Sequence, residues 1–116
     1  MATQRRINET YSCQLDYQGN GSLWFGAHGR DVNIARIHVR TSPIGPEGTV
    51  KIYEQYRDPA YTIYSTPKGS SGDSQDMDLL LTDGQGIWIE WLYSTPSAQG
   101  FARIVGLETR ESNYVR

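Results

Sequence analysis

At 116 residues, with a single cysteine and a net charge of -2, the chain is sized for one domain, cannot close an internal disulfide, and lacks the overall positive charge that a polyanion-binding surface needs, which disfavours nucleic acid as a partner. Twelve glycines, eight tyrosines and three tryptophans, with few alanines, leucines and lysines, form a strand-and-turn composition. The opening Met1-Ala2-Thr3-Gln4-Arg5-Arg6 has no apolar run behind it, so neither a signal peptide nor a membrane span is expected.

Ile7, Tyr11, Cys13, Leu15 and Tyr17 recur at every second position with polar residues between them, the period of a half-buried strand. Gln18-Gly19-Asn20-Gly21 contains the Asn-Gly pair that accepts positive φ, and predicts a hairpin into Ser22-Leu23-Trp24-Phe25. After a loop over residues 26–31, a third strand sets Ala35, Ile37, Val39 and Thr41 on one face and Arg36, His38 and Arg40 on the other. Val32 and Ile34 are out of phase with that set, which calls for a bulge near Ile34. Residues 42–48, rich in proline and glycine, form a loop.

Val50, Ile52, Glu54 and Tyr56 mark a fourth strand, broken at Arg57-Asp58-Pro59, and Tyr61 and Ile63 begin a fifth. Residues 65–76 carry no apolar side chain and read as the longest exposed loop. A short strand from Met77 to Thr82 turns at Asp83-Gly84-Gln85-Gly86 into Ile87–Tyr93, a strand apolar on both faces that calls for cover on its second side by a loop, a sheet or a subunit. A last strand runs through Phe101, Arg103, Val105 and Leu107, and residues 110–116 are a polar tail. Eight strands without helical periodicity predict a single all-β domain over residues 1–116, an antiparallel two-sheet sandwich or jelly roll. A closed barrel is the alternative the same pattern allows.

No catalytic constellation assembles from these residues. His28 sits in a glycine-rich turn and His38 on a polar strand face between two arginines, and no nucleophile, base and orienting group come together in the sequence. Two histidines and one apolar-run cysteine are too few for zinc, and Asp73, Asp76, Asp78 and Asp83 lack the spacing of a calcium loop. Gly84-Gln85-Gly86 opens a strand, not a helix, so no phosphate cradle forms there. No catalytic, metal or cofactor residue is therefore assigned.

The aromatics are the richer signal. Trp24, Trp88, Trp91, Tyr53, Tyr56, Tyr61, Tyr64 and Tyr93 exceed the needs of one small core, and Trp88 and Trp91 cannot share a strand face. The continuous set Ile87, Ile89, Trp91 and Tyr93 is assigned to the core, which leaves Trp88 outward. The partner-binding set read from the sequence is Trp24, Trp88, Tyr53 and Tyr64, joined by the basic row Arg36, His38 and Arg40; the expected ligands are a protein interface or a sugar ring.

The segment Leu81-Thr82-Asp83-Gly84-Gln85-Gly86-Ile87-Trp88-Ile89-Glu90-Trp91, followed by Gln99-Gly100-Phe101-Ala102-Arg103-Ile104, resembles small accessory proteins of tailed bacteriophage virions. The resemblance implies a capsid-decoration, head-fibre or tail-associated component of the virion. Such a component binds capsid or tail proteins, or further copies of itself as a homo-oligomer, without cofactor or membrane. Gly100-Phe101-Ala102 also resembles the last strand of CUB domains, whose paired cysteines and secretion signal have no counterpart here. A carbohydrate-binding sandwich, taking glycans as partners, is the competing reading.

Overall fold

A computed structural model describes residues 2–45 and 47–111. Eight strands account for the alternating segments: β1 (Ala2–Gln14), β2 (Gly21–Gly26), β3 (Asp31–Ser42), β4 (Thr49–Glu54), β5 (Thr62–Thr66), β6 (Asp73–Leu81), β7 (Gly86–Leu92) and β8 (Gln99–Glu111). They form two antiparallel sheets of four, in the orders β1-β8-β3-β6 and β2-β7-β4-β5. This arrangement is the jelly roll: every connection passes from one sheet to the other except β4 to β5. Among the described residues, no helix is long and apolar enough to cross a membrane.

Inward-facing apolar side chains from both sheets make one core, with Ile7 and Leu15 from β1 and the segment after it, Phe25 from β2, Ile34, Ile37 and Val39 from β3, and Ile104 from β8. Ile87, Ile89 and Trp91 are completely buried, as the odd-numbered phase of β7 requires. Cys13 lies half-buried against this core, and burial pushes its thiol up to about 11. A bulge does interrupt β3: its register against both β6 and β8 shifts between Ile34 and Arg36. Ala35 is the extra residue and is exposed, so it leaves the core face expected of it while Ile34 and Ile37 both point inward.

Several expectations need correction, among them Tyr56 and Tyr61, which lie between β4 and β5 and in neither strand. The Asn-Gly turn makes no hairpin, because β1 and β2 belong to different sheets; the turn is closed instead by Asp16, which accepts from the amides of Gln18, Gly19 and Asn20. Tyr17 is consequently exposed in that turn, outside the strand. The supposed long loop over 65–76 shrinks to six residues between β5 and β6, since strand pairing with β3 takes up polar residues from Asp73 onward. Tyr93, expected in the core, lies beyond the end of β7 at φ 51° and is 68% exposed. Of the polar tail, Arg110 and Glu111 belong to β8, and residues 112–116 lie outside the described residues.

The four loops joining β1 to β2, β3 to β4, β5 to β6 and β7 to β8 converge at one end of the sandwich. Ser94 donates its amide to the Gly19 carbonyl, and Gly69 donates to Gly48. Thr41, Thr95 and Ser70 share a buried hydroxyl network, with Thr41 Oγ1 2.9 Å from Thr95 Oγ1 and Thr95 Oγ1 donating to Ser70 Oγ at 3.0 Å. The backbones pass so closely that a Cβ built on Gly48 would sit 2.3 Å from the Tyr93 carbonyl oxygen.

Candidate interaction surfaces

Because Phe25, Ile89 and Ile52 point inward, their sequence neighbours on β2, β7 and β4 point outward. The register sets Trp24 opposite Trp88 and Trp88 opposite Tyr53, so the three rings form one row across three strands on the outer side of the second sheet. Only Trp24 of the three is exposed: Trp88, expected outward, is half-buried, and Tyr53 is covered to 5% exposure. Trp24 and Trp88 have ring centroids 5.3 Å apart at 55°. The Nε1–Cζ2 side of the Trp24 indole lies over the Gly26–Gly86 pair, where Cβ atoms would come within 2.7 Å and 2.4 Å of it. Glycine at both positions is what lets the ring lie there, and 41% of Trp24 remains exposed.

Arg57, in the connection from β4 to β5, completes this face. Its guanidinium carbon lies 5.4 Å from the Trp88 ring centroid, and its Nη1 donates to Ser22 Oγ at 2.8 Å and lies 3.9 Å from Glu90 Oε2. Tyr53 donates its hydroxyl to Glu90 Oε1 at 2.8 Å; burial, then that carboxylate, push the phenol up to about 12. Tyr56 and Tyr61, in the same connection, have ring centroids 5.0 Å apart at 58°, and both are exposed. The sequence offered no sign of Arg57 beyond a strand break, because its role depends on a turn that folds it back over β7.

Tyr64 does not join this row. It pairs with Ile52 and so shares that residue's inward face, packing against the core and donating to Asp73 Oδ2 at 2.5 Å; the bulge that follows lies in β5, where Ile63 is the extra residue between Tyr64 and Thr62. The basic row lies on the other sheet altogether. There Arg36 is paired with Asp76 at 2.6 Å, His38 Nδ1 shares a hydrogen bond with Ser74 Oγ at 2.6 Å, and the Arg40 guanidinium lies 4.4 Å from the Phe101 centroid. These residues border shallow depressions across β3, β6 and β8. The four aspartates singled out in the sequence are held apart: Asp73 accepts from Tyr64 and Thr66, Asp76 from Arg36, Asp78 from Asn33 and Asp83 from the Gly29 amide.

A second charged centre was not anticipated. Glu108, 1% exposed, continues the inward phase of Ala102 and Ile104 to the end of the sandwich opposite the four loops. Arg5 Nη2 donates to both its oxygens at 3.0 and 3.1 Å, Arg30 Nη1 to Oε1 at 3.3 Å, and Arg110 Nε lies 3.5 Å from each. Burial works to raise the Glu108 carboxyl, but the Arg5 hydrogen bonds and the charges of Arg5, Arg110 and Arg30 outweigh it and hold it below the usual carboxylate range. Arg30 also reaches Glu9 at 3.5 Å, and Glu9 accepts from the Tyr11 hydroxyl.

No protein-family description and no curated protein matches the chain. Solved structures are similar in fold. A chain of the acidic stable capsid structure of Helicobacter pylori bacteriophage KHP30 matches at 11% identity and TM-score 0.53, covering 96% of this chain and 99% of that one. The decameric BFDV capsid protein matches at 8% identity and TM-score 0.45, covering 97% and 100%. PliG of Aeromonas hydrophila, a periplasmic inhibitor of g-type lysozyme, matches at 9% and 0.44, covering 90% and 87%. At such identities the likeness is one of fold, and only the first is close enough to carry an argument.

Proposed function

We propose that the chain is a non-enzymatic structural component of a virus particle, decorating or stabilising a phage capsid or tail through its outer sheet faces. The observation that supports this reading is the fold likeness to a chain of a phage capsid structure, which covers 96% of this chain and 99% of that one. Trp24 and Trp88 with Arg57, backed by the buried Tyr53, have the composition of a protein-binding hot spot, aromatic and arginine anchors on a sheet face. Its occupant is a neighbouring subunit of the shell, of the same or another kind. Light scattering coupled to size exclusion, with immunodetection in purified particles, tests the proposal; a strict monomer absent from particles overturns it.

A second reading, glycan binding, draws on one observation: Trp24 offers an exposed indole held in place over Gly26 and Gly86. A glycan array with the wild type and Trp24→Ala separates the two, since sugar binding lost in the variant favours it. The nearest approach to a catalytic pair is Ser74 with His38, and both lie on an open strand face. Ester hydrolysis that disappears in Ser74→Ala would overturn the non-enzymatic reading.

A further inference from the structure

β1 is an edge strand. It pairs with β8 through thirteen residues without a bulge, contains neither proline nor glycine, and has no strand on its other side among the described residues. Edges of this length are usually protected by bulges, prolines or a covering element, because their outward amides and carbonyls are ready to pair with another chain. Five consecutive residues, Arg5 to Glu9, line a cleft of about 610 Å³. Successive side chains of a strand point to opposite faces, so a cleft bordered by all five runs along the strand's edge.

The cleft is basic, and Arg5 and Arg6 are side chains of β1 itself. His28 and Arg30 come from the β2–β3 connection and Arg110 from β8. The cleft carries four arginines against Glu9, with Glu108 buried behind them, in a chain whose net charge is -2. A guanidinium has five N–H donors. Glu108 takes Nη2 of Arg5 and Nη1 of Arg30, and it gathers the three arginines without exhausting their capacity. The edge backbone of β1 beside arginines drawn from β1, β8 and the β2–β3 connection matches an extended peptide with acidic side chains; a free oxyanion would use only the arginines.

We propose that the free edge of β1 between Arg5 and Glu9 takes up an extended acidic segment of a partner protein. The segment adds as a fifth strand to the first sheet, and its carboxylates meet Arg5, Arg30 and Arg110. The test is fluorescence anisotropy with a labelled peptide of about ten residues alternating valine and glutamate, a length that matches an ordinary strand. Two control peptides replace glutamate by glutamine or carry N-methyl groups at every second amide. The glutamate peptide binds, more weakly as salt is raised, and each control binds at least about tenfold more weakly. His28→Glu, on the exposed wall outside the ion cluster, weakens binding with the thermal midpoint unchanged. Arg30→Gln does the same or unfolds, so His28→Glu decides the protein side. No binding at millimolar peptide overturns the proposal, as does equal binding of the N-methylated peptide, which would reveal a simple oxyanion site.

Discussion

Trp24 and Trp88 face each other as a directly opposed cross-strand pair on the outside of the second sheet, and Arg57 lies against the second ring. Their contact adds little to the core, which lies on the other side of the sheet. Trp24→Ala is expected to lower stability by about 0.5–1.5 kcal/mol, the worth of an aromatic pair, in urea unfolding. Self-association or partner binding in the same variant should fall far more than that loss explains. Proportionate losses in the two measurements would assign the pair to stability alone.

Glu108 makes stability depend on acid. Its folded carboxyl lies below its unfolded value, so its contribution is present at neutral pH, above the unfolded value, and is lost as pH falls through the lower folded one. Glu108→Gln should cost about 2–3 kcal/mol at pH 7, because Arg5 and Arg110 lose their carboxylate partner and Arg30 keeps only Glu9, with a discount for the exposure of Arg5 and Arg110. Unfolding midpoints measured from pH 7 to pH 3 should converge for the two proteins as the wild type loses this term. Parallel curves would count against it.

Trp91 is fully buried, and its Nε1 has no partner among the described atoms. Trp91→Phe removes an unsatisfied donor as well as volume, so the two effects oppose each other and the net loss should stay near about 1–2 kcal/mol. Trp91→Ala has no such compensation and should lose about 3–5 kcal/mol in the same denaturation series. Equal losses would mean the indole nitrogen carries an interaction of its own.

Two glycines separate close approach from backbone conformation. Gly29 is at φ 70° with nothing within 4 Å of the place a Cβ would take, and Gly29→Ala should cost about 1 kcal/mol for the left-handed backbone. At Gly48 a methyl group would meet the Tyr93 carbonyl oxygen and carbon at 2.3 and 2.5 Å. Gly48→Ala must therefore part the converging loops and should lose more than about 3 kcal/mol, with amide exchange accelerated at Ser94 and Gly69. Similar thermal midpoints for the two variants would refute the close packing.

Strand positions were legible because alternation survives at Ile87, Ile89 and Trp91 and at Ile37 and Val39, where one face meets the core. Partnership between strands was not. An Asn-Gly turn looks the same whether it closes a hairpin or carries the chain across to the other sheet, and here Asp16 closes it for the crossing. The row Trp24, Trp88 and Tyr53 consists of residues the sequence selected, although their register is a tertiary fact; Tyr64 stands outside it because it pairs with Ile52 rather than with Tyr53 and so takes the inward face. Glu108 escaped notice as a polar residue near the chain end. Extending the inward phase of Ala102 and Ile104 by four residues would have found it, since burying a carboxylate demands the arginines that surround it.

The pairing of β1 with β8 sets Thr3 beside Arg110, across almost the whole described chain. A first sheet ordered β1-β8-β3-β6 therefore cannot close from neighbours in sequence, and only β4 and β5 meet as a local hairpin. During synthesis β1 must wait, unpaired on both sides, until β8 has left the ribosome. Loop-closure entropy on that scale belongs with all-β domains that fold in roughly milliseconds to seconds. Throughout that interval the edge groups of β1 stay open to other strands, so timing as well as sequence decides whether it finds β8 or a stranger's strand.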